Sequence, residues 1–146
     1  MDQKNIILLV EDNPDDELLT LRAFRKNNVA NEIIVTRDGQ EALDFLYAQH
    51  AYADRDKSLT PILILLDLKL PKLGGLEVLR HIRSVEETRR IPVVILTTSD
   101  EDQDLVKSYD LGANSFVRKP VDFSEFMESV KLISLYWVMV NQPPRR

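Results

Sequence analysis

Short runs of Ile, Leu and Val alternate along this chain with longer stretches in which apolar residues recur every three or four positions. The short runs predict strands at Ile6–Val10, Glu32–Thr36, Ile62–Leu66, Pro92–Thr97 and Asn114–Arg118. The longer stretches predict helices at Pro14–Asn28, Gly39–Tyr47, Leu76–Arg83, Asp102–Leu111 and Ser124–Val140. The third and fourth strands are apolar on both faces and are expected at the centre of a sheet covered on both sides. Regular alternation of strand and helix is the mark of βαβ units, so the fold class is α/β: a three-layer sandwich with a five-stranded parallel sheet and five helices.

Boundary residues agree with this division. Asn13 precedes Pro14, giving the first helix a side-chain acceptor at its cap and a proline where an N–H is not needed. Gly112 follows Leu111, where a left-handed residue stops a helix. The connection Ala48 to Thr60 runs about a dozen residues, long for this class, and is either a tolerated insertion or a partner-specific surface. Arg80, Arg83, Arg89 and Arg90 interleave with Glu77, Glu86 and Glu87 and read as a solvated helix face.

A chain of 146 residues suits one compact domain, expected over 1–142, with 143–146 as a disordered tail and no output domain after it. The absence of cysteine excludes disulfides, thiolate zinc sites and cysteine nucleophiles, and makes the cytoplasm the default compartment. No membrane span or signal peptide is evident. A net charge of -5 without a basic block argues against nucleic acid as a partner.

The strand ends carry the chemistry. Glu11 and Asp12 follow the first strand, Asp67 the third, Thr97 closes the fourth, and Lys119 follows the fifth. In a parallel sheet these groups gather at the carboxyl edge, where such folds bind ligands. Any one acid there is more simply a helix cap or turn residue, but three unpaired carboxylates repel by several kcal/mol at separations of about 4 Å. A divalent cation with an all-oxygen shell answers that repulsion, and so partial a protein shell suits Mg²⁺. Zinc would lack its nitrogen and sulfur ligands. A carboxylate beside such an ion can serve as nucleophile toward phosphorus, with Lys119 neutralising charge and Thr97 donating a hydrogen bond.

These motifs, in this order, resemble the receiver domain of two-component response regulators. The resemblance implies a flavodoxin-like strand order 2-1-3-4-5, with Glu11 and Asp12 holding Mg²⁺, Asp67 as phosphoacceptor and metal ligand, and the Lys69 backbone carbonyl as a further ligand. Within Asp67-Leu68-Lys69-Leu70-Pro71-Lys72-Leu73-Gly74-Gly75, Pro71 and Gly75 stand at the family's spacing. Thr97 matches the switch hydroxyl, Phe116 the switch aromatic, and Lys119-Pro120 the family's Lys-Pro pair, typically joined by a cis bond. Gly74 in place of a frequent acid, Phe116 in place of tyrosine and Lys69 beside the acceptor depart from the commonest pattern.

The resemblance implies a phosphoprotein that takes its phosphoryl group from a sensor histidine kinase and relays the signal through the face of the fourth helix, fifth strand and fifth helix. The resemblance further implies no enzymatic activity beyond its own phosphoryl transfer and dephosphorylation. The alternatives for Thr97 and Phe116 are a strand-end residue and a plain core aromatic. The long second connection, Thr97-Thr98-Ser99 and Leu135-Tyr136-Trp137 are similar to the small response regulators paired with bacterial phytochrome kinases. In the last helix Phe126, Met127, Val130, Ile133, Trp137 and Val140 form one stripe, while Leu132, Leu135, Tyr136 and Met139 add a second apolar surface, the expected homodimer interface.

Two other readings share these residues. A receiver-shaped interaction protein that is never phosphorylated is opposed by the intact Asp12, Asp67, Thr97 and Lys119. An aspartate-nucleophile phosphatase of the haloacid dehalogenase type needs a second Asp two positions on, where this chain has Lys69.

Overall fold

The computed structural model describes residues 5–144. Five parallel strands, β1 (Ile7–Val10), β2 (Ile33–Thr36), β3 (Leu63–Leu66), β4 (Val93–Thr97) and β5 (Ser115–Arg118), form one sheet in the order β2-β1-β3-β4-β5. Helices α1 (Pro14–Lys26), α2 (Gly39–Leu46), α3 (Gly75–Ser84), α4 (Asp102–Asp110) and α5 (Phe123–Ile133) alternate with them. Each element lies within a few residues of its predicted span except the last helix, whose α-helical part ends at Ile133, short of the expected Val140.

The period-two alternation of the strands sorts the core into two layers. Ile7, Leu9, Leu63, Leu65, Val94 and Leu96 meet Ala23 and Phe24 of α1 and Phe126, Val130 and Ile133 of α5. Leu8, Val10, Ile64, Leu66, Val93 and Ile95 face the other way, onto α2 and α3. The central strands are buried throughout, which is why their sequence shows no polar face.

Two features differ from the sequence expectation. Arg83 does not share the solvated face of its neighbours. Its guanidinium donates to the carbonyls of Gly112 (2.9 Å), Ile91 (2.8 Å) and Arg89 (3.1 Å) and to Asn114 Oδ1 (2.9 Å). Gly112 has φ of +100°, and a Cβ there would stand 2.9 Å from Arg83 Nε, so the helix stop also makes room for this side chain. The four bonds use the planar fork of arginine to close the α3–β4 and α4–β5 loops.

The last helix also departs from one continuous stripe. After Ile133 the chain opens into a π-helical segment, Ser134–Val140. Bonding from i to i+5 rotates later side chains off the α-helical phase. Val138 therefore packs with the core beside Trp137, while Val140, in phase with Ile133 in an α-helix, is exposed. The second apolar surface is present as expected: Leu132, Leu135, Tyr136 and Met139 are all exposed.

The long connection is anchored on α2. It contains a 3-10 turn (His50–Tyr52), Tyr52 packs edge-on against Phe45, and the Tyr52 hydroxyl donates to Glu41 Oε2 at 2.7 Å. The Arg55 guanidinium lies 3.9 Å over the Phe45 ring. Beyond Val140, residues 141–144 have no regular structure. Gln142, Pro143 and Pro144 border an open cleft at the amino end of the sheet with Asn5, Pro61 and Pro92. Arg145 and Arg146, the rest of the expected disordered tail, lie outside the described residues. Among the described residues no helix is long and apolar enough to cross a membrane.

Candidate acidic site at the carboxyl edge of the sheet

Strand register assembles the site. Val10 pairs with Leu66, so Glu11 and Asp67, the next residues of each strand, emerge side by side. Leu66 pairs with Ile95 and Thr97 with Arg118, which brings Thr97 and Lys119 to the same edge. Glu11, Asp12 and Asp67 each present a carboxylate oxygen within 4.8 Å of the others. Glu11 and Asp67 are buried and Asp12 is exposed. Three oxygens so placed, one of them open to solvent, suit a hard divalent cation that keeps part of its water shell.

Lys119 closes the site from beneath. Its ammonium donates to Glu11 Oε1 at 2.7 Å, Asp16 Oδ2 at 2.8 Å and Asp67 Oδ2 at 2.9 Å. All three ammonium protons are thus spent on carboxylates. Burial alone would lower the Lys119 pKa, but the bonds it donates to Asp16, Glu11 and Asp67 outweigh it and hold the group above the ordinary lysine range. Burial pushes Glu11 the other way, up to about 7 despite the pull of Lys119. Glu11 Oε2 also accepts the Asn13 N–H at 3.1 Å, and Asn13 Oδ1 caps α1 through Asp15 N (2.9 Å) and Asp16 N (3.1 Å).

The loop after β3 is folded tightly against the acceptor. The Lys69 N–H donates to Asp67 Oδ1 at 3.2 Å, and Lys72 takes a left-handed φ of 66° after Pro71. A Cβ on Gly75 would lie 2.3 Å from the Asp67 carbonyl oxygen, so only glycine lets α3 start this close to the strand end. Thr97 is fully buried and its Oγ1 accepts the Ser99 N–H at 3.3 Å. Phe116 pairs with Ile95 in register and is half-buried against the α2–α3 layer. The Lys119–Pro120 bond is trans, against the cis geometry that the resemblance implied, an isomer preference worth only about 0.5–1 kcal/mol.

The sequence reading missed Asp16. The signal lay in the phase of α1: Asp16, Thr20 and Ala23 share one face, Thr20 and Ala23 are fully buried, and the Thr20 hydroxyl donates to the Asp16 carbonyl at 2.7 Å. Helical side chains lean toward the amino end, which here abuts the sheet edge. Asp15, one residue earlier, is exposed.

The family described as the response regulator receiver domain matches residues 7–131. The chain belongs to that family. This receiver is 43% identical over 139 residues to the probable methanogenesis regulatory protein FilR2 of Methanothrix harundinacea, covering 95% of this chain and 87% of FilR2. It is 39% identical to response regulator Rcp1 of Synechocystis sp., covering 91% of this chain and 88% of Rcp1. The Mn²⁺-bound crystal structure of Rcp1 superposes with a TM-score of 0.90 at 37% identity, covering 97% of this chain and 99% of that one. The phosphorylated cyanobacterial phytochrome response regulator RcpA gives a TM-score of 0.90 at 40% identity, with coverage of 97% and 99%. The receiver is thus related to phytochrome response regulators, and its five-stranded order is the flavodoxin-like one expected.

Proposed function

We propose that this receiver accepts a phosphoryl group from a sensor histidine kinase on Asp67, in a Mg²⁺-dependent reaction, and passes the signal on by repacking its α4–β5–α5 face. The observation that carries the reading is the shared position of Asp67: it belongs to the carboxylate cluster with Glu11 and Asp12, and its Oδ2 takes a 2.9 Å bond from Lys119. RcpA, phosphorylated in its crystal structure, and Rcp1, crystallised with Mn²⁺, support the extension to phosphoryl transfer and metal.

In the transfer, an Asp67 oxygen bonds to phosphorus while the bond from phosphorus to the donor breaks. The leaving group, a histidine nitrogen of the kinase or the acetate of acetyl phosphate, departs with the electron pair. Mg²⁺ held by Glu11, Asp12, Asp67 and the Lys69 carbonyl supplies neutralisation of the phosphoryl oxygens. Lys119 supplies a fixed cation at Asp67, and Lys69 N–H orients the carboxylate. A phosphoryl group brings about one added negative charge and acceptor oxygens in need of donors. Thr97 gives up its bond from Ser99 and turns its hydroxyl to them, and Phe116 fills the space that Thr97 leaves.

The surface formed by Leu132, Leu135, Tyr136 and Met139 supports a two-fold homodimer through α5 and its neighbours. A kinase of the bacterial phytochrome class as donor is supported by the likeness to RcpA. The acidic charge supports a receiver that works without nucleic acid.

Incubation with Mg²⁺ and acetyl phosphate is expected to add one phosphoryl mass, stable to acid and labile to base, and chelation of the metal is expected to prevent it. A chain that stays unmodified under these conditions would end the phosphoacceptor reading. Sedimentation of the phosphorylated or beryllofluoride-bound protein is expected to give a dimer at micromolar concentration; a monomer at high micromolar concentration in both states rules out the α5 interface.

A further inference from the structure

We infer that Asp16 is a positioning residue that restrains phosphorylation, holding Lys119 with a negative charge that neither nucleophile nor metal requires. The inference rests on Asp67 being the phosphoacceptor. Three carboxylates, Glu11, Asp12 and Asp67, are balanced by one ammonium and one divalent cation. Asp16 breaks that balance. Its Oδ2 lies 2.8 Å from Lys119 Nζ, and its side chain is 22% exposed, so water screens it only in part. With cation bound, the site keeps one negative charge in excess, and an incoming phosphoryl group must be accommodated against it.

The geometry adds a second cost. The ammonium has no free proton while it bonds Glu11, Asp16 and Asp67. A donor for the phosphoryl oxygens must be withdrawn from one of them. Glu11 and Asp67 belong to the carboxylate cluster that would hold the cation, whereas Asp16 lies outside it and would remain the competitor for Lys119. Asp16 thus acts on the reacting group through Lys119 and need not touch it.

Substitution by asparagine keeps an acceptor oxygen in place and removes the charge. Asp16→Asn is therefore expected to bind beryllofluoride more tightly at saturating Mg²⁺, by about three- to tenfold for one charge lost at this range, and to bind Mg²⁺ itself about two- to threefold more weakly. The opposite signs are the test, because a residue that only supports the first turn of α1 would move both affinities the same way or neither. Asp15→Asn removes the same charge from the same turn, where the side chain is exposed, and is expected to change each affinity by less than about twofold. Both affinities are read by titration calorimetry or fluorescence on the folded variants, with thermal melts confirming that they are folded. Unchanged or weaker beryllofluoride binding by Asp16→Asn overturns the inference, as does an equal gain in Asp15→Asn. Failure of the unmodified protein to bind beryllofluoride with Mg²⁺ present would overturn the phosphoacceptor reading itself, and this inference with it.

Discussion

Asp67→Asn protein is expected to take up no phosphoryl group from acetyl phosphate or from a histidine kinase while remaining folded. The amide has no anionic oxygen to form the acyl phosphate, so the loss is absolute rather than a change of rate. The fold should survive because Asn keeps an acceptor for the Lys69 N–H, and because the substitution removes one of the three acids, Glu11, Asp16 and Asp67, that share a single ammonium. Lys119 still bonds Glu11 and Asp16. Intact-mass measurement after acetyl phosphate treatment, set beside a thermal melt at the same pH, separates the two effects. Mg²⁺ affinity should fall by about tenfold or more with the loss of one charged ligand. An adduct that persists in this variant would place the acceptor elsewhere.

Lys119→Met has the opposite profile: it should damage both the reaction and the fold, and the fold more at high pH than at low. Removing one partner of a buried ion pair costs on the order of 3–5 kcal/mol, because the acids remain and have lost their cation. Here Glu11, Asp16 and Asp67 all depend on it. Burial already raises Glu11 from 4.5 to about 7, and without the opposing pull of Lys119 it rises further. The folded state then binds a proton that the unfolded state has released, so stability falls as pH rises from the ordinary carboxylate range through the folded value, by up to about 1.4 kcal/mol per pH unit. Urea unfolding at pH 5.5 and pH 8 should show the larger deficit at pH 8, partly restored by Mg²⁺. Loss of the fixed cation should also slow adduct formation by about 100- to 1000-fold, the scale seen when one preorganised donor is removed. A deficit equal at both pH values would mean that the acids are held by something other than Lys119.

The two variants probe parts of the site that were not equally legible in the sequence. Glu11, Asp12, Asp67, Thr97 and Lys119 could be picked out because each stands just past an apolar run, and parallel strands deliver such residues to one edge. The central strands were legible to within a residue because a strand buried on both faces leaves room for little but Val, Ile and Leu. Arg83 was not legible: a cation between glutamates on an amphipathic helix has the same local pattern whether it points to water or reaches across to the Gly112 and Ile91 carbonyls. Nor was the turn of α5 into its π-helical segment, since Val140 continues the three- and four-residue stripe perfectly well until the backbone changes pitch at Ser134.

By itself the sequence determined the order of elements, the two-layer core and the identity of the chemical groups at the carboxyl edge, because these follow from local periodicity and from which residue comes next along one strand. Tertiary structure decided which acids share the lysine. Asp16 reaches Lys119 across 103 positions, and Asp67 across 52, through the docking angle of α1 and the register of β1 on β3. An ammonium with three protons can satisfy only the carboxylates that packing brings within bonding distance, and that selection is made by contacts between distant segments, which no local pattern encodes.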